Sequence, residues 1–474
     1  MRNSTTSSTR SARSHEHISR EEEADLTLRH TQVSRATAWM LSLSFCALIA
    51  LPATIQHFAI TKKKPSRDAI AFRSLLPSWQ ELRRVRGVRS ALLLLPSARE
   101  TKNYETQIER DSWLSQNTIP PFQAFATGVF GAGNERVYVA RDKWLFLKAE
   151  IDYLTGKGFL DPKTLRRASK TEAKSEAKNP SKTAAKFTAK NRVEPDPLPA
   201  ILDLGRQLKA RGIALVVMPV PAKATIHPEQ FAPAISNAMF GATSSTRNEY
   251  LQPENVSFAR FTHQLRAHGI TVYQSAPVLL RAKCLTREPQ YLALDSHWTP
   301  QAMTRVARDL AHFVERRAVL SLAKRHYTLR AARETNICDL ELMLKLPKNQ
   351  RIFRRTTVKT QRVLDERGVP LKPQRDAEVL LLGDSFSNIY SHGGFWGRGA
   401  GLPEHLSFYL RRPVDKIAIN GGGAAMNRLQ WIQDLRGNRR DLRHVRVVIL
   451  QFATRSLVNN NWKTLALPRA SPTL

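Results

Sequence analysis

A serine that follows a short apolar run is the first residue of this sequence to suggest chemistry. Residues 379–382 read Val-Leu-Leu-Leu, typical of a buried strand, and Gly383 breaks the run two positions before Ser385. A serine on a sharp turn at the end of such a strand has an exposed hydroxyl beside unpaired backbone N–H groups. An acyl-transfer nucleophile needs both features, although Asp384-Ser385 is also an ordinary turn sequence.

A second segment contains the groups that such a serine requires. Asp295 and His297 end another apolar run, and Thr299 and Pro300 then provide an N-cap and a first helical position. This pattern predicts His297 as the general base for Ser385 and Asp295 as the carboxylate that holds the base. Asp295 and His297 are also metal-ligand types, but no third ligand has a suitable spacing, so neither a metal nor a cofactor is predicted.

An alternation of helical and strand patterns from about residue 197 would position these residues. It predicts an α/β fold, a three-layer α/β/α domain with a mainly parallel sheet. In such sheets, sites lie at the carboxyl ends of the strands. The loops at these predicted ends carry Lys223, Asp295 with His297, Ser385 and Asn420. The strands expected in this part of the chain are 213–218, 270–273, 379–382, 416–419 and 445–450.

Four further residues are candidates for contacts with the reacting groups. Asn420 and Gly421 are predicted to stabilise an oxyanion, although a Gly-rich turn before a helix has the same sequence. Lys223 and Arg455 are predicted to bind substrate, and a surface salt bridge is the alternative for Arg455.

Charge restricts the class of partner. The chain has 74 Lys and Arg against 40 Asp and Glu, a formal net charge of +34. Its pI of about 10.7 indicates an acidic partner such as a polyanionic polymer, a membrane surface or nucleic acid. No nucleic-acid-binding motif is present, so nucleic acid is not expected as a partner.

The domain organisation follows from changes in composition. Residues 1–35 are rich in Ser, Thr and Arg and are predicted to be a disordered tail. Residues 36–60 are apolar over about the 20 residues that span a bilayer, which predicts an uncleaved transmembrane signal anchor, with a buried core helix as the alternative. The remaining domain, 65–474, is interrupted at 163–195 by a low-complexity insertion with lysine at every fourth position.

The three cysteines fit an extracytoplasmic location loosely. Cys46 belongs to the apolar segment. Cys284 and Cys338 are candidates for one disulfide in an oxidising compartment, a pairing that sequence alone does not decide.

Several of these segments together resemble a known family, the SGNH-hydrolase-like domain of alginate O-acetyltransferases of the AlgX/AlgJ type. The resemblance spans roughly residues 135–458. Lys143 replaces the glycine of the family's early Gly-Trp-Leu-Phe segment. The segments that carry the resemblance are Pro219 to Lys223, Asp295 to Thr299, Gly383 to Phe386, Ala418 to Gly423 and Phe452 to Arg455.

The resemblance implies an O-acetyltransferase. Ser385 would form an acetyl-enzyme, and a hydroxyl of an extracytoplasmic, alginate-like exopolysaccharide would accept the acetyl group. Implied partners are a membrane-bound O-acyltransferase as acetyl donor and other exopolysaccharide biosynthesis proteins, with a single-pass anchor in the inner membrane and the catalytic domain facing the periplasm or cell exterior. A carbohydrate acetylesterase with the same triad and a non-catalytic polysaccharide-binding envelope protein are the alternatives.

Overall fold

The structure is a computed structural model that describes residues 34–61, 83, 113–167, 194–232, 253–321, 324–458 and 462–468. The chain divides into two units, residues 1–95 with 103–116 and residues 96–102 with 117–474. The predicted tail and most of the predicted lysine-rich insertion lie outside the described residues, so both stay predictions.

The first unit contains a 27-residue helix, α1 (Arg35–Thr61). Large apolar side chains such as Trp39, Phe45 and Leu48 are exposed along its first half. In the part of the chain that the structure describes, no helix is both long and apolar enough to cross a membrane. The transmembrane anchor expected over residues 36–60 stays a prediction.

A helix and a small hairpin precede the main sheet. These elements are α2 (Trp113–Phe130), which contains residues of both units, β1 (Val137–Val139), β2 (Leu145–Leu147) and α3 (Lys148–Thr155). Strands β1 and β2 pair antiparallel, with Tyr138 opposite Phe146.

The α/β part of the second unit follows. In chain order it contains α4 (Pro197–Lys209), β3 (Ala214–Val220), α5 (Lys223–Ile226), α6 (Pro228–Phe231), α7 (Phe258–Ala267), β4 (Thr271–Val272), α8 (Ala276–Thr286), α9 (Pro300–Glu315), β5 (Thr328–Asn336), α10 (Asp339–Met343), β6 (Thr356–Leu364), β7 (Val379–Gly383), α11 (Ser385–Asn388), α12 (Leu402–Leu410), β8 (Val414–Ala418), α13 (Gly423–Arg436) and β9 (Val447–Ala453). Thr299 caps α9 by accepting from the N–H of Ala302, as its sequence predicts.

Five parallel strands form the central sheet, in the order β4-β3-β9-β7-β8. Every residue of β7 and β9 is buried, which explains why both strands are apolar apart from Gln451. Alternate residues of each strand face opposite layers, so that Leu381 and Ile449 pack with helices α8, α9 and α12. Leu380 and Leu450 pack on the other face with α4, α7 and α13. The three-layer architecture with a parallel sheet is therefore confirmed.

The stretch between α9 and β7 contains two strands that the sequence analysis does not predict. Strands β5 and β6 form a nine-pair antiparallel hairpin, from Thr328 opposite Leu364 to Asn336 opposite Thr356. No residue of β5 is buried. The strand therefore lacks the apolar alternation by which a half-buried strand is recognised in a sequence.

The disulfide considered for Cys284 and Cys338 does not form. Cys338 is buried, and its thiol donates to Thr356 Oγ1 at 3.3 Å. Cys284 lies exposed on α8.

Candidate active site

Ser385 lies at the carboxyl end of β7, where the chain turns into the single-turn helix α11. Asp384 is the N-cap, and its Oδ1 accepts hydrogen bonds from Phe386 N at 2.9 Å and from Gln451 Nε2 at 2.8 Å. Its Oδ2 accepts from Ala453 N at 2.8 Å. Three donors thus hold one carboxylate and fix the turn, and the serine N–H, at the first helical position, has no intrahelical acceptor.

Gly383 is required by the packing of this turn. A Cβ at this position would lie 2.3 Å from Ser387 Oγ and 2.9 Å from Gln451 Oε1. Both atoms belong to the hydrogen-bonded network that holds the turn, since Ser387 donates to Gln451 Oε1 at 2.6 Å. Any side chain at residue 383 would displace the turn that carries Ser385.

The structure brings Ser385, His297 and Asp295 together from two distant segments. His297 Nε2 lies 2.8 Å from Ser385 Oγ, and His297 Nδ1 lies 2.6 Å from Asp295 Oδ1. An ionised Asp295 requires the proton on Nδ1, which leaves the Nε2 lone pair directed at the serine hydroxyl. This is the arrangement in which an imidazole accepts a proton from a nucleophile.

The catalytic loop, residues 291–299, is held at several points. Its ends pair through the Tyr291–Trp298 bridge, and Tyr390 donates to Trp298 O at 2.6 Å. Asp295 Oδ2 accepts from Asp339 N at 3.1 Å and from Trp396 Nε1 at 3.3 Å. The carboxylate is therefore oriented on both oxygens, although only 1% of the residue is exposed.

The pKa shifts of the pair agree with this assignment. Burial alone raises the pKa of Asp295, but the hydrogen bond and charge of His297 lower it below its ordinary value. Burial alone lowers the pKa of His297, but the hydrogen bond and charge of Asp295 raise it above its ordinary value. The dyad is thus an ionised carboxylate beside a strengthened base.

Asp339 is a site residue that the sequence analysis missed. It starts α10, in the segment between β5 and β6, and its carboxylate accepts from the N–H and the hydroxyl of Ser296. Ligand atoms of Asp295, His297 and Asp339 lie within 4.8 Å of one another, the grouping of a metal site. Asp295 and His297 hydrogen-bond to each other, and Asp339 accepts from Ser296 of the catalytic loop.

Lys223, predicted to bind substrate, lies behind the catalytic loop. It is fully buried, and its Nζ donates to the carbonyls of Leu145, Leu292, Ala293 and Asp295 at 2.6 to 3.1 Å. The ammonium also lies 4.8 Å from the centre of the Trp144 ring. Burial lowers its pKa to about 7, against the opposing charges of Asp295 and Glu150. In this arrangement Lys223 shapes the loop and does not face solvent.

Arg455, also predicted to bind substrate, pairs with a buried carboxylate. Its Nη1 donates to Glu150 Oε1, and the other oxygen of Glu150 accepts from Lys223 N at 3.1 Å. The guanidinium lies 5.6 Å from the centre of the Phe386 ring, next to the serine. Glu150, on α3, was not identified from the sequence because its pairing with Arg455 joins residues that are 305 positions apart.

The predicted oxyanion loop follows β8, the strand next to β7. Asn420 Oδ1 accepts from Asn388 Nδ2 at 3.2 Å, and Gly421 has a φ of 68°, which favours glycine. A cavity of about 290 Å³ lies beside this loop, lined by residues 421–425 with Ser456 and Trp462. The structure records no bond from Asn420 or Gly421 to Ser385 in the described residues, so their oxyanion role stays a prediction.

A basic groove, defined here as the space between α9 and the β5–β6 hairpin, starts close to the catalytic loop. Pro300, three residues after His297, lines it, and its volume is about 710 Å³. The Thr360 hydroxyl is buried in this region without a hydrogen-bond partner among the described residues. Four cations contribute to the lining: Arg305, Arg308, Arg333 and Lys359.

The parallel α/β fold and the Ser385–His297–Asp295 geometry define a serine acyl-transfer domain. The family model of the SGNH hydrolase-like domain of acetyltransferase AlgX matches residues 197–454. Because this match covers more than half of the chain, the protein belongs to that family, and the resemblance found in the sequence is confirmed.

The chain also aligns with solved structures. The O-acetyltransferase domain of Pseudomonas putida AlgJ aligns with a TM-score of 0.46 and 21% identity, over 68% of this chain and 92% of that chain. Pseudomonas aeruginosa AlgX aligns with a TM-score of 0.43 and 17% identity, over 68% of this chain and 66% of that chain. Bacillus cereus PatB1 aligns with a TM-score of 0.36 and 12% identity, over 70% of this chain and 100% of that chain. No curated protein matches the sequence significantly.

Replacing Lys223 by Met should destabilise the protein and lower the reactivity of Ser385, although Lys223 does not contact the serine. Methionine fills the space but removes the donor that the four carbonyls share and leaves Glu150 with one cation fewer. Of these carbonyls, only those of Leu292 and Ala293 have a backbone N–H as a second donor among the bonds of the described residues. We expect about 3–5 kcal/mol lower unfolding free energy in urea titrations. We also expect about 100-fold slower labelling of Ser385 by a sulfonyl fluoride, followed by intact mass spectrometry. The exposed control Lys157→Met should change neither quantity, and an unchanged Lys223→Met variant would refute the role.

The labelling rate of Ser385 should fall at acid pH. His297 acts as a base only when neutral, and its pKa is raised. The rate should therefore decline as pH drops through a midpoint above the ordinary histidine value of about 6.5. A pH series of the labelling rate measures this midpoint, which Asp295→Asn should lower. A wild-type midpoint at or below 6.5 would contradict the assignment.

Proposed function

We propose that this protein is a serine-dependent O-acetyltransferase that moves an acetyl group onto hydroxyls of an acidic, alginate-like exopolysaccharide. The observation that carries the proposal is the buried chain of two short hydrogen bonds, from Asp295 through His297 to Ser385. Membership of the AlgX acetyltransferase family supports the same reaction class.

The first half-reaction forms an acetyl-enzyme. Ser385 Oγ attacks the carbonyl carbon of the acetyl donor while His297 Nε2 takes the hydroxyl proton. The Ser385 N–H and the Asn420–Gly421 loop stabilise the oxyanion of the tetrahedral intermediate. The bond to the leaving group then breaks, and the leaving group takes the proton from His297.

The second half-reaction transfers the acetyl group to the polymer. His297 takes the proton of a sugar hydroxyl, whose oxygen attacks the acetyl carbon of the acetyl-enzyme. When the intermediate collapses, the bond to Ser385 Oγ breaks and His297 returns the proton to the serine. If water replaces the sugar, the same steps describe the esterase alternative.

The basic groove supports an acidic polymer as the acceptor. Arg308 is exposed on α9, with its Nη2 on Tyr409 Oη, and Arg305 pairs with Glu288 through one nitrogen at 3.2 Å. The second terminal nitrogen of Arg305 is buried without a partner among the described residues. Guanidinium and ammonium groups favour repeated carboxylates, and the net charge of +34 acts in the same direction.

We further propose a location and partners from the sequence. The apolar segment at residues 36–60 would anchor the chain in the inner membrane, with the catalytic domain facing the periplasm or cell exterior. The acetyl donor would come from a membrane-bound O-acyltransferase, and other exopolysaccharide biosynthesis proteins would supply the polymer.

The Ser385→Ala variant tests the covalent step. Wild-type protein incubated with a chromogenic acetyl ester should release the chromophore, gain the mass of one acetyl group and pass it to an acidic polysaccharide. Ser385→Ala should lose all three signals, down to the background rate. Ser321→Ala is the control, because Ser321 is exposed and its hydroxyl donates to Glu378, before the amino end of β7. Chromophore release without polymer acetylation would favour the esterase, and equal signals from wild type and Ser385→Ala would refute catalysis at this serine.

Charge reversal in the basic groove tests the acceptor. We expect Arg308→Glu and Lys359→Glu each to raise the KM for an acidic polysaccharide about fivefold, on the order of 1 kcal/mol per exposed charge. Cleavage of the small chromogenic ester should not change. Arg266→Glu, exposed on α7 in the opposite layer, is the control. An unchanged KM in both variants would place the acidic polymer elsewhere.

A further inference from the structure

A second carboxylate faces the catalytic histidine and has no part in the triad. Asp339 Oδ2 lies 3.7 Å from His297 Nδ1, the nitrogen that hydrogen-bonds to Asp295 at 2.6 Å. Ser296 connects the two groups, because its Oγ donates to Asp339 Oδ2 at 2.5 Å and lies 3.3 Å from the same Nδ1. The imidazole therefore faces one carboxylate directly and another through a hydroxyl.

Asp339 is a partly exposed carboxylate, with 24% of its side chain accessible, beside the buried Asp295. Partial burial and the charge of Asp295 raise the pKa of Asp339, since two carboxylates in one site repel each other. The interactions that compensate are local: two hydrogen bonds from Ser296 and the charge of His297. The stabilisation of an ionised Asp339 thus comes from the same loop that carries the base.

The backbone of Asp339 also contributes to the triad. Its N–H donates to Asp295 Oδ2 at 3.1 Å, so one residue orients the triad carboxylate and faces the imidazole. The other charged or titratable groups that act on Asp339 or His297 are Asp295, Lys223, Arg455 and Cys338. Of these, Lys223 bonds to carbonyls behind the catalytic loop, and Arg455 pairs with the carboxylate of Glu150.

We propose that Asp339 is a positioning residue for His297: through Ser296 and through its charge at Nδ1, it orients the imidazole toward Ser385 and stabilises the imidazolium. That cation exists while the proton of the serine or of the sugar is held on Nε2, so a second negative charge nearby favours the transition states on both sides. The proposal rests on the proposed roles of Ser385 and His297.

The test compares the pH profile of Ser385 labelling by a sulfonyl fluoride in full-length wild type, Asp339→Asn and Ser296→Ala. Asparagine keeps the shape of Asp339 and an acceptor for Ser296 but removes the charge. We expect its maximal rate to fall about tenfold and its acid midpoint to drop by about one pH unit. Ser296→Ala keeps the charge, so its midpoint should move less than that of Asp339→Asn while its rate falls several-fold.

A role limited to starting α10 predicts a different result. Asp339→Asn would then lower the midpoint of thermal unfolding and leave the acid midpoint of labelling unchanged, which would overturn the proposal. If Asp339→Asn does not fold, Asp339→Ser, which is neutral and also favours a helix start, undergoes the same measurement with the same expected shift.

The reagent reports only the serine and its base, so the outcome is separate from that of the transferase proposal. If Ser385 of the wild type is labelled and Asp339→Asn shows the expected shift of the acid midpoint, the positioning role of Asp339 is supported even if no polymer is acetylated. Wild type in which Ser385 is not labelled overturns both the nucleophile and this role of Asp339.

Discussion

The buried hydrogen bond between Asp295 Oδ1 and His297 Nδ1 is the interaction on which the rest of the site depends. An ionised carboxylate with 1% exposure is stable only if its charge and oxygens are satisfied from several directions. The imidazole, two N–H donors and the Trp396 indole satisfy them directly. Behind the loop, the Lys223 ammonium binds four carbonyls and adds a positive charge.

The nucleophile and the base are held in place by different parts of the fold. The nucleophile is attached to β7, inside a sheet whose central strands are buried on both faces, and Asp384 ties its turn to Gln451 and Ala453. The base lies on a loop, whose position is set by side chains from several elements. Glu150 links two of these supports, since it contacts both the Arg455 guanidinium and the Lys223 backbone. A displacement of any of these supporting residues would change the distance between the base and the nucleophile, and proton transfer is sensitive to that distance.

The hairpin β5–β6 connects the chemistry to the proposed acceptor. One of its faces forms a wall of the basic groove, and the segment between its strands delivers Asp339 to the catalytic loop. A polymer held against the hairpin would therefore lie on the element that also holds the base.

By itself, the sequence predicted that Ser385, His297 and Asp295 belong to one site, and it determined the parallel α/β class. Buried parallel strands have continuous apolar runs, and their carboxyl ends are where chemical residues gather, so local pattern was sufficient. Only the tertiary structure decided the rest. Strand β5 of the hairpin has no buried position from which a strand period could be recognised. Asp339 and Glu150 are ordinary acidic residues until folding places them beside His297 and Arg455. Lys223 follows a strand end of the kind where sites lie, but its ammonium binds carbonyls of residues that are 69 to 78 positions away in the sequence. Local sequence patterns do not reveal such long-range partners.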